Sequence, residues 1–151
     1  MLISWNEVIG IVLAIICGAG IGLEREISGK VAGLRTNVLI CLGAAVLTIL
    51  SKEIGAGSGD SATRIAAQIV TGVGFLGAGA LIRDRGGIHG LTTAATIWLV
   101  ASIGMACGAG HYTLAGITTA LAIGVLFGIP YVSKSIVKHH KKENTDSDTA
   151  D

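Results

Sequence analysis

Two charged clusters interrupt an otherwise apolar chain, and each of them mixes the two signs of charge. They are Glu24-Arg25-Glu26 and Arg83-Asp84-Arg85. An orientation signal in a membrane protein needs only Lys and Arg, because Asp and Glu contribute little to topology. Carboxylates between guanidinium groups therefore predict ion pairs, and the opposite sign patterns predict that the two clusters neutralise each other. The alternative is that both are hydrated stop signals at the membrane surface.

The same carboxylates raise the alternative of a divalent-metal site. Mg2+ keeps several waters and needs only one or two carboxylates, which Glu24, Glu26 and Asp84 could supply. However, Glu24 and Glu26 are two positions apart, so they would diverge on a helix, and the arginines compete as counter-ions. Ion pairing is favoured over ligation, and no metal site or cofactor is expected.

Polar residues close to the two clusters indicate where helices begin. Thr36-Asn37 and Thr92-Thr93 stand at the starts of apolar segments, and their side chains can cap free backbone N–H groups. Two helix N-termini backed by Arg35 and by Arg83 or Arg85 would also attract anions. Capping alone and capping combined with anion binding both stay open.

A further polar pair, Arg64 and Gln68, is four residues apart and shares one helix face. A charge at the bilayer centre costs about 2.5 to 3.5 kcal/mol on insertion scales, so Arg64 should extend its head outward. Gln68 must find a partner inside the bundle. An interhelical hydrogen bond and a functional role are equal alternatives for it.

The elements that carry these residues are predicted to be membrane-spanning helices. The chain is 51% hydrophobic and 14% charged, with a mean hydropathy of +0.71, outside the range of soluble domains. Since a span needs about 20 apolar residues and about 17 are tolerated, the first two segments are short unless they recruit neighbours such as Trp5 or Leu34. Nothing alternates as a transmembrane strand would. The apolar segments predict five spans, at residues 8–23, 38–50, 65–82, 91–110 and 112–132.

This pattern predicts an all-α, polytopic transmembrane bundle over residues 1–132 and a charged tail over 133–151. The tail has little to bury, so disorder is expected beyond its basic root. With the N-terminus outside, only Lys52 and Arg64 lie on the external side, and the other nine of the eleven Lys and Arg are cytoplasmic. That split satisfies the positive-inside rule for five spans.

Small residues recur along the predicted helices and favour close helix packing in lipid. The candidate packing glycines are Gly18, Gly22, Gly74, Gly77, Gly79, Gly104, Gly108, Gly116, Gly124 and Gly128. The three cysteines stand alone without a metal-ligand spacing, which favours a packing role. The sequence contains no phosphate-binding loop and no nucleophile, base and orienter set. These absences predict a protein that is not an enzyme and has no nucleic-acid partner.

Four ordered blocks resemble the MgtC/SapB family of bacterial inner-membrane proteins. They are residues 20–26 (GIGLERE), 33–37 (GLRTN), 64–79 (RIAAQIVTGVGFLGAG) and 90–98 (GLTTAATIW). The resemblance implies a multi-pass inner-membrane protein associated with low Mg2+, acid stress or survival inside host cells. It also implies regulation of membrane energetics, with ATP synthase a suggested target for some members. The family's polar motif positions fall here on Glu24, Arg25, Glu26, Arg35, Thr36, Asn37, Arg64, Gln68, Thr92, Thr93 and Trp98.

Many members of that family also carry a soluble C-terminal domain that this sequence does not match, so regulation attributed to that domain is in doubt here. The leading hypothesis is a non-enzymatic regulatory protein that engages another membrane complex, with a homodimer as an open question. The alternative is a small transporter or channel for an ion such as Mg2+. Its pathway would be lined by Gln68, Thr71, Thr96 and Asn37. A lipid-modifying enzyme is the least supported class, because Asp, His and Ser residues are far apart.

Overall fold

The computed structural model describes residues 4–55, 61–84 and 87–147, with the side chains of residues 61–63, 65, 84 and 130–147 outside the description. Over these ranges the chain forms a helical bundle, which confirms the predicted fold class. The helices are α1 (Trp5–Ile27), α2 (Leu34–Gly55), α3 (Ser61–Gly79), α4 (Leu91–Ala109) and α5 (Tyr112–Ser147).

An antiparallel hairpin between α3 and α4 was not predicted. It joins β1 (Ile82–Asp84) to β2 (Gly87–His89), with Ile82 opposite His89. The sequence prediction extended the third apolar segment to residue 82, but α3 ends at Gly79. A short hairpin forms from neighbouring residues alone, so it leaves little trace in the hydropathy pattern.

Four of the described helices are long and apolar enough to cross a membrane, namely α1, α2, α4 and the first part of α5, Tyr112–Ile129. The first two apolar segments reach spanning length by recruiting the neighbours named from the sequence, because α1 begins at Trp5 and α2 begins at Leu34. α1 has 23 residues and α2 has 22, because each helix includes flanking polar residues. The shorter apolar stretch is Ala66–Gly79 in α3.

One end of the bundle is tied together by contacts between helix termini. Ser4 and Glu7 form a capping box at the start of α1. The Tyr112 hydroxyl at the start of α5 donates to the Asn6 carbonyl in α1. Lys52 Nζ, near the end of α2, donates to the Ala109 carbonyl at the end of α4 over 3.2 Å. The start of α1, the ends of α2 and α4, and the start of α5 therefore lie on the same side.

α2 is the central helix, and it packs against α1, α3 and α4, while α5 packs against α1 and α4. The first buried apolar cluster joins α1, α2, α4 and α5, and it includes Cys17, Cys41 and Cys107 as free thiols. The second cluster joins α2, α3 and α4 around Ile69, Val73 and Ile97. The three cysteines, far apart in sequence, thus occupy one part of the core.

Glycines allow α2 to approach its two main neighbours closely. A Cβ at Gly104 would lie 2.2 Å from the Cys41 carbonyl oxygen, and a Cβ at Gly108 would lie 2.3 Å from that of Ala45. On α1, Cβ atoms at Gly18 and Gly22 would come within 2.9 and 2.8 Å of α2. Real Cβ atoms do not adopt such distances, so these positions require glycine at the present helix separation.

The other candidate packing glycines are placed differently. Gly77 faces Ala94 of α4 at ordinary contact distance, with 3.6 Å from its built Cβ to the nearest carbonyl oxygen. Nothing lies within 4 Å of the built Cβ at Gly74, Gly79, Gly116, Gly124 or Gly128. These five glycines make no close helix contact within the described chain.

The charged tail begins within α5. α5 is described as a helix to Ser147, and the disorder expected beyond the basic root stays a prediction. Lys and Glu are good helix formers, and extending an existing helix avoids the cost of nucleation. Residues 148–151 lie outside the described range.

Candidate functional site at the charged end of the bundle

The first charged cluster ends α1 and holds a buried ion pair. Glu24 and Arg25 are only 2% and 3% exposed. Arg25 donates to the Glu24 carboxylate through Nε and, over 2.7 Å, through Nη2. Ser28 Oγ also donates to Glu24, over 2.8 Å. A buried charge is tolerated when it is paired and hydrogen-bonded, and Glu24 meets both conditions within its own segment.

Glu26 points to the next helix. Its Oε2 accepts a hydrogen bond of 2.8 Å from the backbone N–H of Leu34, the first residue of α2. A Cβ at Gly33 would lie 1.9 Å from that oxygen, so glycine leaves room for the carboxylate. A negative charge there complements the helix dipole. Glu26 therefore holds the start of α2.

Thr36 and Asn37 were predicted to cap α2, but within the described residues neither side chain accepts a hydrogen bond from a backbone N–H at the start of that helix. Arg35 and Thr36 are exposed, and Thr36 makes no side-chain hydrogen bond within the described residues. Asn37 is fully buried, and its Nδ2 donates to the carbonyls of Ala32 and Gly33 over 2.7 and 2.8 Å. Its Oδ1 is buried without a partner in the described part of the chain. Asn37 thus fixes the turn between α1 and α2.

The second cluster lies on the hairpin. Arg83 is exposed on β1, Arg85 lies outside the described residues, and the side chain of Asp84 is not described. Glu24 and Glu26 take their partners from the α1 end, the following turn and the start of α2. Within the described residues neither carboxylate pairs with Arg83, while the expected pairing with Arg85, and that of Arg25 with Asp84, lies outside the described side chains and stays a prediction. Partners close in sequence reach them without ordering a distant loop.

The end of α1 and the segment from β2 to the start of α4 line one cavity of about 520 Å³. We call it the cationic cavity, and its lining comprises Arg25, Lys30, Ile88, His89, Gly90, Leu91, Thr92, Thr93, Val125, Leu126 and Ile129. Arg25 and Lys30 come from the end of α1 and the turn after it, and residues 88–93 come from β2 and the start of α4. The three remaining residues belong to α5.

The start of α4 has no side-chain cap. Its N-cap residue is Gly90, with a φ of 91°, and no side chain bonds the free N–H groups there. A Cβ at Gly90 would lie 2.2 Å from the Ala80 carbonyl oxygen, so glycine is required. Thr92 and Thr93, which were predicted to cap α4, instead line the cationic cavity. Thr93 is only 5% exposed there.

The remaining candidate polar residues are spread over separate surfaces. Gln68 lines an apolar groove of about 490 Å³ between α2 and α3. Thr96 lines a different groove, between α4 and α5, and its hydroxyl donates to the Thr92 carbonyl over 2.8 Å. Arg64 is exposed on α3, and Trp98 is 52% exposed on α4. Within the described residues, no group of three His, Cys, Asp or Glu side chains could hold a metal ion.

The fold and this charged end define a small helical membrane protein whose acidic groups are held by contacts within the chain. The MgtC family profile matches residues 11–135, and the chain belongs to this family. It is 46% identical over 113 residues to Protein MgtC of Brucella abortus strain 2308, covering 74% of this chain and 46% of that protein. It is 45% identical over 111 residues to Protein MgtC of Salmonella typhimurium strain LT2, covering 74% and 47%.

The chain spans about half the length of these curated relatives. No solved structure matches it. Family membership and four apolar helices make it a membrane protein of the MgtC type.

Proposed function

We propose that this chain is a multi-pass protein of the bacterial inner membrane that regulates membrane energetics by binding another membrane protein complex, without enzymatic chemistry. Its membership of the MgtC family supports the general role. The observation that carries the binding proposal is an exposed run of small residues on α5 whose glycines face no described neighbour.

That run consists of Gly116, Ala120, Gly124 and Gly128, four residues apart and all exposed. No described atom lies within 4 Å of a built Cβ at its three glycines. Glycine inside a helix costs up to about 1 kcal/mol relative to alanine, and here no close approach of another described residue offsets that cost. Small residues in this spacing let a second helix approach closely in lipid.

The arrangement of polar groups gives less support to an ion pathway. Gln68 and Thr96 line different grooves, and Asn37 is bonded to carbonyls of the turn before α2. The contact between α2 and α4 is closed by backbone approach at Gly104 and Gly108. The transporter alternative would need these separated polar groups to form one path.

Photo-crosslinking in native membranes tests the binding proposal. A crosslinking residue at Ala120, in the centre of the α5 run, is expected to capture another membrane protein, with ATP synthase subunits probed first. The matched control is the same residue at Phe75, which is 81% exposed on α3. Gly124→Leu should abolish the Ala120 adduct. Adducts with lipid only at both positions, or with a second copy of the chain only, would contradict the proposal.

Flux measurements test whether the protein transports Mg2+. Purified protein in liposomes that contain a Mg2+-sensitive dye is expected to give the same influx as protein-free liposomes. Influx above that background, lowered by Gln68→Leu, would favour the transporter alternative.

A further inference from the structure

We propose that the cationic cavity binds the phosphate headgroup of an anionic membrane lipid. This inference concerns a different surface from the α5 run and does not depend on the partner protein. It rests on the charge of the cavity, its unsatisfied donors and its apolar wall.

The charge balance of the cavity is positive. Arg25 engages Glu24 through Nε and Nη2, which leaves Nη1 without a hydrogen bond to the described chain. Lys30 is exposed and forms no ion pair with the described residues. Glu26 is turned away, toward the N–H of Leu34. Among the described residues Glu24 offsets Arg25, and Lys30, which also interacts electrostatically with Glu24, carries the remaining formal positive charge.

Hydrogen-bond donors line the same space. Thr93 is only 5% exposed, and its hydroxyl makes no hydrogen bond to the described residues, although it lines the cavity. α4 begins here without a side-chain cap, so its first-turn N–H groups have no side-chain acceptor. Phosphate oxygens accept from both hydroxyl and backbone N–H donors, and the positive end of a helix dipole favours them.

The wall of the cavity distinguishes a lipid from a free phosphate ion. Val125, Leu126 and Ile129 form one side of it, and Ile129 is 61% exposed on the outer surface of α5. The cavity lies where α1 ends and α4 begins, and because both helices are long and apolar enough to cross a membrane, we expect their ends to lie at the level of the headgroups. A lipid matches this lining, because its phosphate group can bind the polar donors and its acyl chain can pack against the apolar α5 wall. Basic pockets between membrane helices are known to bind such headgroups.

Native mass spectrometry of the full chain, purified in detergent and mixed with defined lipids, tests this assignment. We expect the protein to retain phosphatidylglycerol in preference to phosphatidylcholine. Lys30→Gln should lower retention about fivefold, the effect of one charge worth about 1 kcal/mol at a membrane surface. Thr93→Val should also lower it, and Thr93→Ser, which keeps the hydroxyl, should not.

The control variant is Lys52→Gln, which removes an exposed charge at the opposite end of the bundle. Equal losses in Lys30→Gln and Lys52→Gln would mean that lipid is attracted by general surface charge, and would overturn the proposal. Displacement of phosphatidylglycerol by millimolar inorganic phosphate would assign the site to free phosphate and overturn the lipid assignment. Persistence of the lipid under that challenge is the expected result.

Discussion

At the scale of single residues, the most consequential feature is the ion pair between the adjacent residues Glu24 and Arg25. Neither side chain is more than 4% exposed, so removing either partner leaves the other charge without compensation. Breaking a buried pair in this way costs about 3 to 5 kcal/mol, whereas replacing both members by neutral groups is often tolerated. The pair therefore makes the end of α1 sensitive to single substitutions and tolerant of the matched double one.

We expect Arg25→Met to lower the free energy of unfolding by about 3 to 5 kcal/mol, and Glu24→Gln combined with Arg25→Met to restore most of that loss. Unfolding in detergent, followed by circular dichroism, measures both. Arg35→Met is the matched control, since Arg35 is exposed, and surface substitutions of this kind change stability by about 0.5 kcal/mol or less. Equal losses for the two arginines would show that the ion pair contributes no stability.

At the scale of elements, hydropathy was sufficient to predict the order and number of the described helices, because each helix buries an apolar run. It did not predict the β1–β2 hairpin, whose formation depends on local backbone pairing near Gly87. The partners of Glu26 and Asn37 were also missed, since the turn between α1 and α2 decides what these side chains reach. The sequence placed the first charged cluster at the end of α1 but did not specify its partners, and it did not place the second cluster on a hairpin.

The glycines lie on two kinds of helix surface: those packed against a neighbouring helix and those facing no described neighbour. The same substitution should therefore have different effects at the two kinds of position. Gly104→Ala should cost about 1 to 3 kcal/mol, because the new Cβ would meet the Cys41 carbonyl oxygen of α2 at 2.2 Å and force α4 outward. Gly116→Ala makes the same chemical change where no described atom lies within 4 Å of the new Cβ. It should be neutral or stabilise the isolated protein by up to about 1 kcal/mol.

Thermal unfolding of both variants in detergent measures the difference. A loss of stability in Gly116→Ala equal to that in Gly104→Ala would mean that the α5 run is packed within the protein. The binding proposal for that run would then lose its basis.

At the scale of the whole molecule, the helix directions decide how many times the chain crosses the membrane. α2 and α4 end on the same side, because Lys52 near the end of α2 bonds Ala109 at the end of α4. The chain between them must therefore return across the bundle, and α3 is the helix that does so. Its shorter apolar stretch, Ala66–Gly79, is consistent with a crossing element because Arg64 can extend its charge to the membrane surface.

We infer from these helix directions that α3 crosses together with the other four helices, and the resulting odd number of crossings gives a prediction about orientation. Of the ten Lys and Arg in the described ranges, eight lie at or beyond the end of the bundle that holds the cationic cavity, and positive residues favour the cytoplasmic side. The N-terminus should then be external.

Cys17, Cys41 and Cys107 are at most 4% exposed, so an impermeant maleimide should not label them in the folded protein. A cysteine introduced at Lys52 should react in intact cells, and one at Lys30 only after permeabilisation. The reverse pattern would place the cationic cavity outside the cell and remove the basis for the proposed orientation.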